Sequence, residues 1–120
     1  MPFMSQNTPP YRFSVVGDVT GARAVNTTYT NNTGRNLMVA MASWVMVLGS
    51  PYTFIIASLM ELIPGGGLVN IEQNGYTGAG AVGDLDYISA NFLVPPGCSY
   101  RINTTENLVV FTLVSWIEAY

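Results

Sequence analysis

The sequence predicts an all-β fold: an antiparallel, jelly-roll-like β-sandwich in a single domain. Three observations predict it. About seven or eight segments are rich in β-branched and aromatic residues, the types that fit a pleated, half-buried surface. Turn chemistry built from Gly, Pro and Asn separates them roughly every 10–15 residues, the pattern of sandwiches and barrels. No segment combines good helix caps with an apolar stripe at helical spacing. With 120 residues, the chain has the length for one domain around one core.

Residues 1–17 read as an extended N-terminal arm, since Pro9-Pro10 disfavours helix. Residues 18–120 read as the sandwich domain. "AVNTTYT", 24–30, is of strand type, and "NNTGRN", 31–36, is a turn cluster with Gly34 placed for a positive φ. "LMVAMASWVMVL", 37–48, and "YTFIIASLMEL", 52–62, are apolar enough that period alone leaves helix and strand open. Their β-branched content and the Gly49-Ser50-Pro51 turn between them favour two buried strands. "IPGGG", 63–67, is a breaker, "LVNIEQ", 68–73, is a strand, and Asn74-Gly75 reads as a hairpin turn. "LDYISANFLV", 85–94, alternates, with Ile88, Ala90, Phe92 and Val94 on one face and Tyr87, Ser89 and Asn91 on the other. Pro95-Pro96-Gly97 stops it. "CSYRIN", 98–103, and "LVVFTLVSWIEA", 108–119, complete the set. Trp44 and Trp116 are both expected in the core.

Charge is scarce. Hydrophobic residues make up 49% and charged ones 9%, against about 25% charged in an ordinary domain. The cations are Arg12, Arg23, Arg35 and Arg101, with no lysine and no histidine. A monomer of this size exposes roughly 6,300 Å², and so few charges cover it thinly. Such a surface is covered by neutral polar groups or by partner chains; the abundant Asn and Thr fit the first and the apolar total fits the second. The net charge of −3 with no basic run argues against nucleic acid. A membrane span wants about 20 continuous apolar residues. Gly49-Ser50-Pro51 cuts the apolar stretch 37–63 into pieces too short for that, and no basic residues flank it. No span is expected, and the opening shows neither the basic nor the apolar region of a secretory signal.

Enzymatic and cofactor chemistry finds little footing. Without histidine there is no Ser-His-Asp or Cys-His site. The single cysteine, Cys98, has no base near it in sequence and reads as a small packed side chain. Gly78-Ala79-Gly80-Ala81-Val82-Gly83 spells G-x-G-x-x-G, but that fingerprint works only where a strand feeds a tight turn that opens a helix. Here the downstream segment has strand period and ends at Pro95-Pro96. No cofactor is expected, and the glycines read as a loop, where binding function tends to sit. The candidate ligand-binding residues are Asn74, Tyr76, Asp84 and Asp86, in a loop region 73–87. Tyr76, among glycines, is the aromatic expected to be exposed, and exposed tyrosines stack on sugar rings. Asp84 and Asp86 would project the same way and could ligate calcium, yet the rest of an EF-hand loop is missing, so solvated surface carboxylates are expected. The sequons at Asn26, Asn31 and Asn103 read as Asn/Thr-rich edge strands.

Three blocks resemble one family. "DVTGARAVNTTYTNNTGRNLMV", 18–39, resembles the opening of the small C-terminal receptor-binding tip domain of tailed-phage and prophage tail fibres, which runs Arg-x-x-x-Thr-Thr-Tyr-Thr-Asn-x-Thr-Gly-Arg/Lys-Pro. Arg23, Thr27 to Asn31, Thr33, Gly34 and Arg35 match it, and Asn36 stands where the family has proline. "VPPGCSYRI", 94–102, is similar to its Val-Pro-x-Gly-x-x-Tyr turn and strand, and "VSWIEAY", 114–120, to its closing Trp-x-Glu. Residues 40–90 match only in an apolar strand and a later Asn-Gly. The resemblance implies a virion protein without enzymatic activity, a homotrimer whose distal loops touch a host-surface glycan or protein. Trimer packing would account for the charge-poor, apolar composition. Glu118 is expected to pair with Arg23 or Arg35 across strands. Two other readings stand beside this one. The first is a structural virion component, such as a capsid decoration or tail-assembly protein, docked on another virion protein through residues 1–17. The second is a glycan hydrolase or lyase with a cleft shared between subunits, ranked last because so short a chain leaves little room for a cleft.

Overall fold

The structure, a computed structural model, describes residues 13–120. Most of the expected arm, with Pro9-Pro10 and Arg12, lies outside the described residues. Eight strands follow in order: β1 (Val16–Asp18), β2 (Thr28–Thr30), β3 (Leu37–Val47), β4 (Tyr52–Glu61), β5 (Leu68–Gly78), β6 (Leu85–Val94), β7 (Ser99–Asn107) and β8 (Val109–Ala119). They form two four-stranded sheets, β1-β8-β3-β6 and β2-β7-β4-β5. The antiparallel pairs β1·β8, β2·β7, β3·β6 and β4·β5 are those of one long hairpin folded between β4 and β5. Rolling that hairpin up brings β3 beside β8 and β4 beside β7 and closes both sheets. This is the jelly roll the sequence predicts. Among the described residues the helical content is one short 3-10 turn, Thr20–Ala22, and no helix is long and apolar enough to cross a membrane.

The apolar run of β3 is a strand because its burial alternates at every residue from Leu37 to Val47. The buried row joins Phe54 and Ile56 of β4, Ala90 of β6, Ile102 of β7 and Trp116 of β8 in one core. Tyr87, Ser89 and Asn91 face away from it, as the alternation predicts.

Four expectations are corrected. Asn74-Gly75 is not a hairpin turn but lies inside β5, opposite Ile56 and Ile55. A Cβ on Gly75 would stand 2.5 Å from the Phe54 carbonyl oxygen, so glycine serves the close approach of β4 rather than a turn. The domain boundary drawn at residue 18 falls inside β1; the amides of Ser14 and Val15 already donate to the Tyr120 carbonyl, each at 2.8 Å. The strand expected over 24–30 shrinks to Thr28–Thr30, because Asn26 adopts a φ of 60°. Trp116 is fully buried, whereas Trp44 stands on the outer face opposite Tyr87 and Thr112.

The sandwich has two distinct ends. At the proximal end, where the described chain enters, three ring systems and an ion pair interlock. The Arg23 guanidinium grips the Glu118 carboxylate with Nε at 3.0 Å and Nη2 at 2.9 Å. The Tyr100 hydroxyl donates to the same carboxylate. Arg23 lies 4.4 Å from the centre of the Tyr29 ring, which packs on Tyr100 and Trp116. Burial, then Glu118, pushes the Tyr100 phenol well above its ordinary value, and the Glu118 hydrogen bonds hold the Arg23 proton more tightly still. Of the two pairings expected for Glu118, Arg23 takes it; Arg35 donates to Ser14 Oγ at 3.1 Å. Beside this network Asn31, buried, donates to the carbonyls of Arg35 and Val94 and accepts from both the amide and the hydroxyl of Thr33. The residues that carry the family resemblance therefore meet in one scaffold.

Candidate functional site

The distal end is built from three connections: Leu48–Pro51 between β3 and β4, residues 79–84 between β5 and β6, and Leu108 between β7 and β8. Backbone bonds tie them together. The amide of Leu48 donates to the Leu108 carbonyl at 2.8 Å, that of Val47 to Asp84 at 2.9 Å, and that of Gly83 to Val47 at 2.8 Å. The glycine string supplies this loop. Gly78 closes β5, Gly83 takes a φ of 94°, and a Cβ on Gly80 would press 3.2 Å from the Tyr52 ring. No helix follows: β5 and β6 belong to different sheets, so the chain lacks the strand–turn–helix unit of a dinucleotide site.

Three of the four candidate residues come together around a residue that sequence reasoning missed, Tyr52. Its hydroxyl donates to Asp86 Oδ2 at 3.4 Å. Burial, then Asp86 and after it Asp84, pushes its phenol above the ordinary value. Asp84 caps its own loop, accepting the Ala81 amide at 3.1 Å. Tyr76 reaches across from β5 and donates to the Tyr87 carbonyl of β6 at 3.3 Å, linking the two sheets at their open edges. Asn74 shares a face of β5 with Tyr76, two residues along, and makes no side-chain bond to the other three. Tyr76 is 39% exposed, yet Tyr87 at 69% is the most open aromatic among the described residues. Among the described residues no three His, Cys, Asp or Glu side chains gather as a metal-binding group.

The surroundings are acidic and partly apolar. Asp84, Asp86 and Glu106 lie toward this end, while the described arginines lie on β7 near β2 and in the proximal connections. Leu48, Val82, Leu85 and Leu108 stand exposed around the carboxylates. On the adjoining outer face, the missing side chain of Gly75 leaves a shallow notch of about 230 Å³, bordered by Ile55, Gln73, Asn74, Tyr76 and Thr77. Cys98 is far from all of this, buried at the start of β7, where burial pushes its thiol up and keeps it unreactive. A sequence signal for Tyr52 existed: the Gly49-Ser50-Pro51 turn puts Tyr52 at the beginning of its strand, at the end where the glycine loop emerges.

No protein-family model matches the chain, and no curated protein is significantly similar to it.

Proposed function

We propose that this protein is a receptor-binding tip of a tailed phage or prophage, a non-enzymatic homotrimer that touches a host-surface glycan or protein with its distal end. One observation carries the reading. The described chain enters at the end locked by Arg23, Glu118 and Tyr100, and the open tyrosines and carboxylates collect at the opposite end. A domain held from one end and exposing aromatic and hydrogen-bonding groups at the other suits recognition. Tyr76 offers a ring face for sugar stacking, and Asp84 and Asp86 offer acceptors for sugar hydroxyls. The notch over Gly75 is smaller than the roughly 300–1,000 Å³ of clefts that enclose a drug-sized ligand, so it suits one sugar ring lying shallowly. The four sequence candidates Asn74, Tyr76, Asp84 and Asp86 and the added Tyr52 make up the distal rim, with the notch on the outer face adjoining it.

Binding of the purified protein to host cells and to their extracted surface polysaccharide tests the reading. The Tyr76→Ala, Asp86→Ala double variant is expected to lose binding while keeping its β-type circular dichroism; undiminished binding would remove the site. The same polysaccharide is expected to release no reducing ends on incubation. A second reading, a capsid decoration or tail-assembly protein, draws support from the apolar outer face of β3. Immuno-labelling of particles separates the two, at fibre tips or over the shell.

A further inference from the structure

The two outer faces of the sandwich differ. On β7 the outward row is Ser99, Arg101, Asn103, Thr105 and Asn107. On β3 it is Met38, Ala40, Ala42, Trp44 and Met46. In a two-layer fold a strand normally alternates apolar-in with polar-out, and strands apolar on both sides are covered on both sides. β3 has the core on one side and, among the described residues, no layer on the other. Its neighbours continue the apolar surface, with Val110, Val114 and Ile117 from β8 and Leu85, Tyr87 and Leu93 from β6. Among the outward side chains of these four strands one is charged, Asp18, on the short margin strand β1.

We infer that this face is an interface between copies of this chain. The occupant must itself be apolar and uncharged over an area of this size, and a second copy presents such a surface. Three strands of 10 or 11 residues, at about 4.8 Å spacing and 3.3 Å rise, project roughly 500 Å² before side-chain relief is counted. Monomers rarely leave patches beyond a few hundred Å² open, and a stable interface takes about 800 Å² from each partner. The face also carries both halves of a fit. Small residues leave a dip in its middle, one hollow of about 220 Å³ that includes Ala42, Ser89 and Val114, and an adjoining one of about 130 Å³ that includes Ala40 and Ser115. Tyr87 projects beside them, 69% exposed. Tyr87 of one copy seats in the dip of the next. The inference rests on the self-association in the reading above and says which face performs it.

Size-exclusion chromatography with light scattering, on the full chain at micromolar concentration, tests it. The wild type is expected at a multiple of 13.0 kDa. Val114→Arg, on the bulge of β8, is expected to run as the monomer, and Tyr87→Ala to weaken association at least tenfold. Thr105→Arg, on the opposite outer face, is expected to leave the mass unchanged. If Val114→Arg loses its β-type circular dichroism, Tyr87→Ala decides. A wild type that stays at 13.0 kDa, full-strength association in Tyr87→Ala, or dissociation caused by Thr105→Arg overturns the proposal. An oligomer without affinity for any host surface would sink the receptor reading and keep this interface; a monomer that binds cells would keep the binding end and remove both the trimer and this interface.

Discussion

The two ends of this jelly roll use polar groups in opposite ways. At the proximal end the charged and amide groups have partners, and the Trp116 indole nitrogen is the exception. Glu118 meets Arg23 twice and Tyr100 once, and Asn31 satisfies carbonyls and a threonine on both sides of a turn. At the distal end Tyr52 and Tyr76 each make one long bond, and the carboxylates of Asp84 and Asp86 keep open acceptor positions. Satisfied buried networks rigidify a fold, whereas half-used groups at an open rim are available to something else. The difference teaches that polarity alone does not mark a site; what counts is whether the polar groups are already spoken for.

The largest effect is expected from removing Glu118. Glu118→Ala leaves Arg23 and Tyr100 without their partner, and breaking a buried pair on one side costs about 3–5 kcal/mol. With Arg23 partly open to solvent, about 3 kcal/mol is expected, read as a lower midpoint in urea unfolding. Binding per folded molecule should be unchanged. A Glu118→Ala protein of wild-type stability would show that the proximal network is not the scaffold described.

Next in size is Gly75→Ala. The added methyl meets the Phe54 carbonyl and the Ile55 side chain, and overpacking of this kind costs about 1–3 kcal/mol. It also fills the notch. Stability and glycan binding should fall together here, whereas Tyr76→Ala should lower binding with little change in midpoint. Equal stability losses in the two variants would mean that Tyr76 packs the fold instead of standing open at the rim.

Alkaline pH separates two tyrosines. Tyr100 has a folded pKa raised above its unfolded value, roughly 10. Its stabilisation is therefore complete below about pH 10 and is lost as pH rises from there toward the folded pKa. Tyr52 shifts in the same direction, with burial as its first cause and Asp86 as its second. Thermal melts at increasing pH should show a steep alkaline loss in the wild type, a flatter one in Tyr100→Phe, and a smaller flattening in Tyr52→Phe. The reverse ranking would place the tighter network at the distal end.

How much of this was legible in the sequence depends on the range of the interaction. The alternation of 85–94 and the turns at Gly49-Ser50-Pro51 and Pro95-Pro96-Gly97 are local, and they gave strands where the structure has them. β1 escaped notice because Val16-Gly17-Asp18 is too short to show a period. Asn74-Gly75 misled because its strong local turn preference yields to pairing with β4, which only tertiary contact reveals. Tyr52 was invisible as part of the cluster because Asp86 lies 34 positions away. The apolar character of β3 was plain, but which of its faces would stay uncovered was not, since that depends on how many layers the chain builds. The short blocks that resemble a family also proved to be packing residues, Arg23, Tyr29, Tyr100, Trp116 and Glu118, rather than the rim.

The smallest expected effect concerns Glu61, a carboxylate on the outer face near the proximal end that accepts the Ser99 amide at 2.7 Å. That bond is the first cause holding its pKa below the ordinary value. A depressed folded pKa contributes stability that is present above the unfolded value, roughly 4.3, and is lost as pH falls through the folded one. Glu61→Gln keeps an acceptor for the amide but cannot titrate. Its thermal midpoint should sit slightly below wild type at neutral pH and converge with it under acid, where the wild-type carboxylate is protonated too. Because Glu61 pins Ser99 at the start of β7, next to Glu118's partner Tyr100, convergence would tie the acid limb of stability to the proximal scaffold. A constant offset at every pH would mean that the carboxylate charge adds nothing there, and that the amide bond is as good to a neutral oxygen.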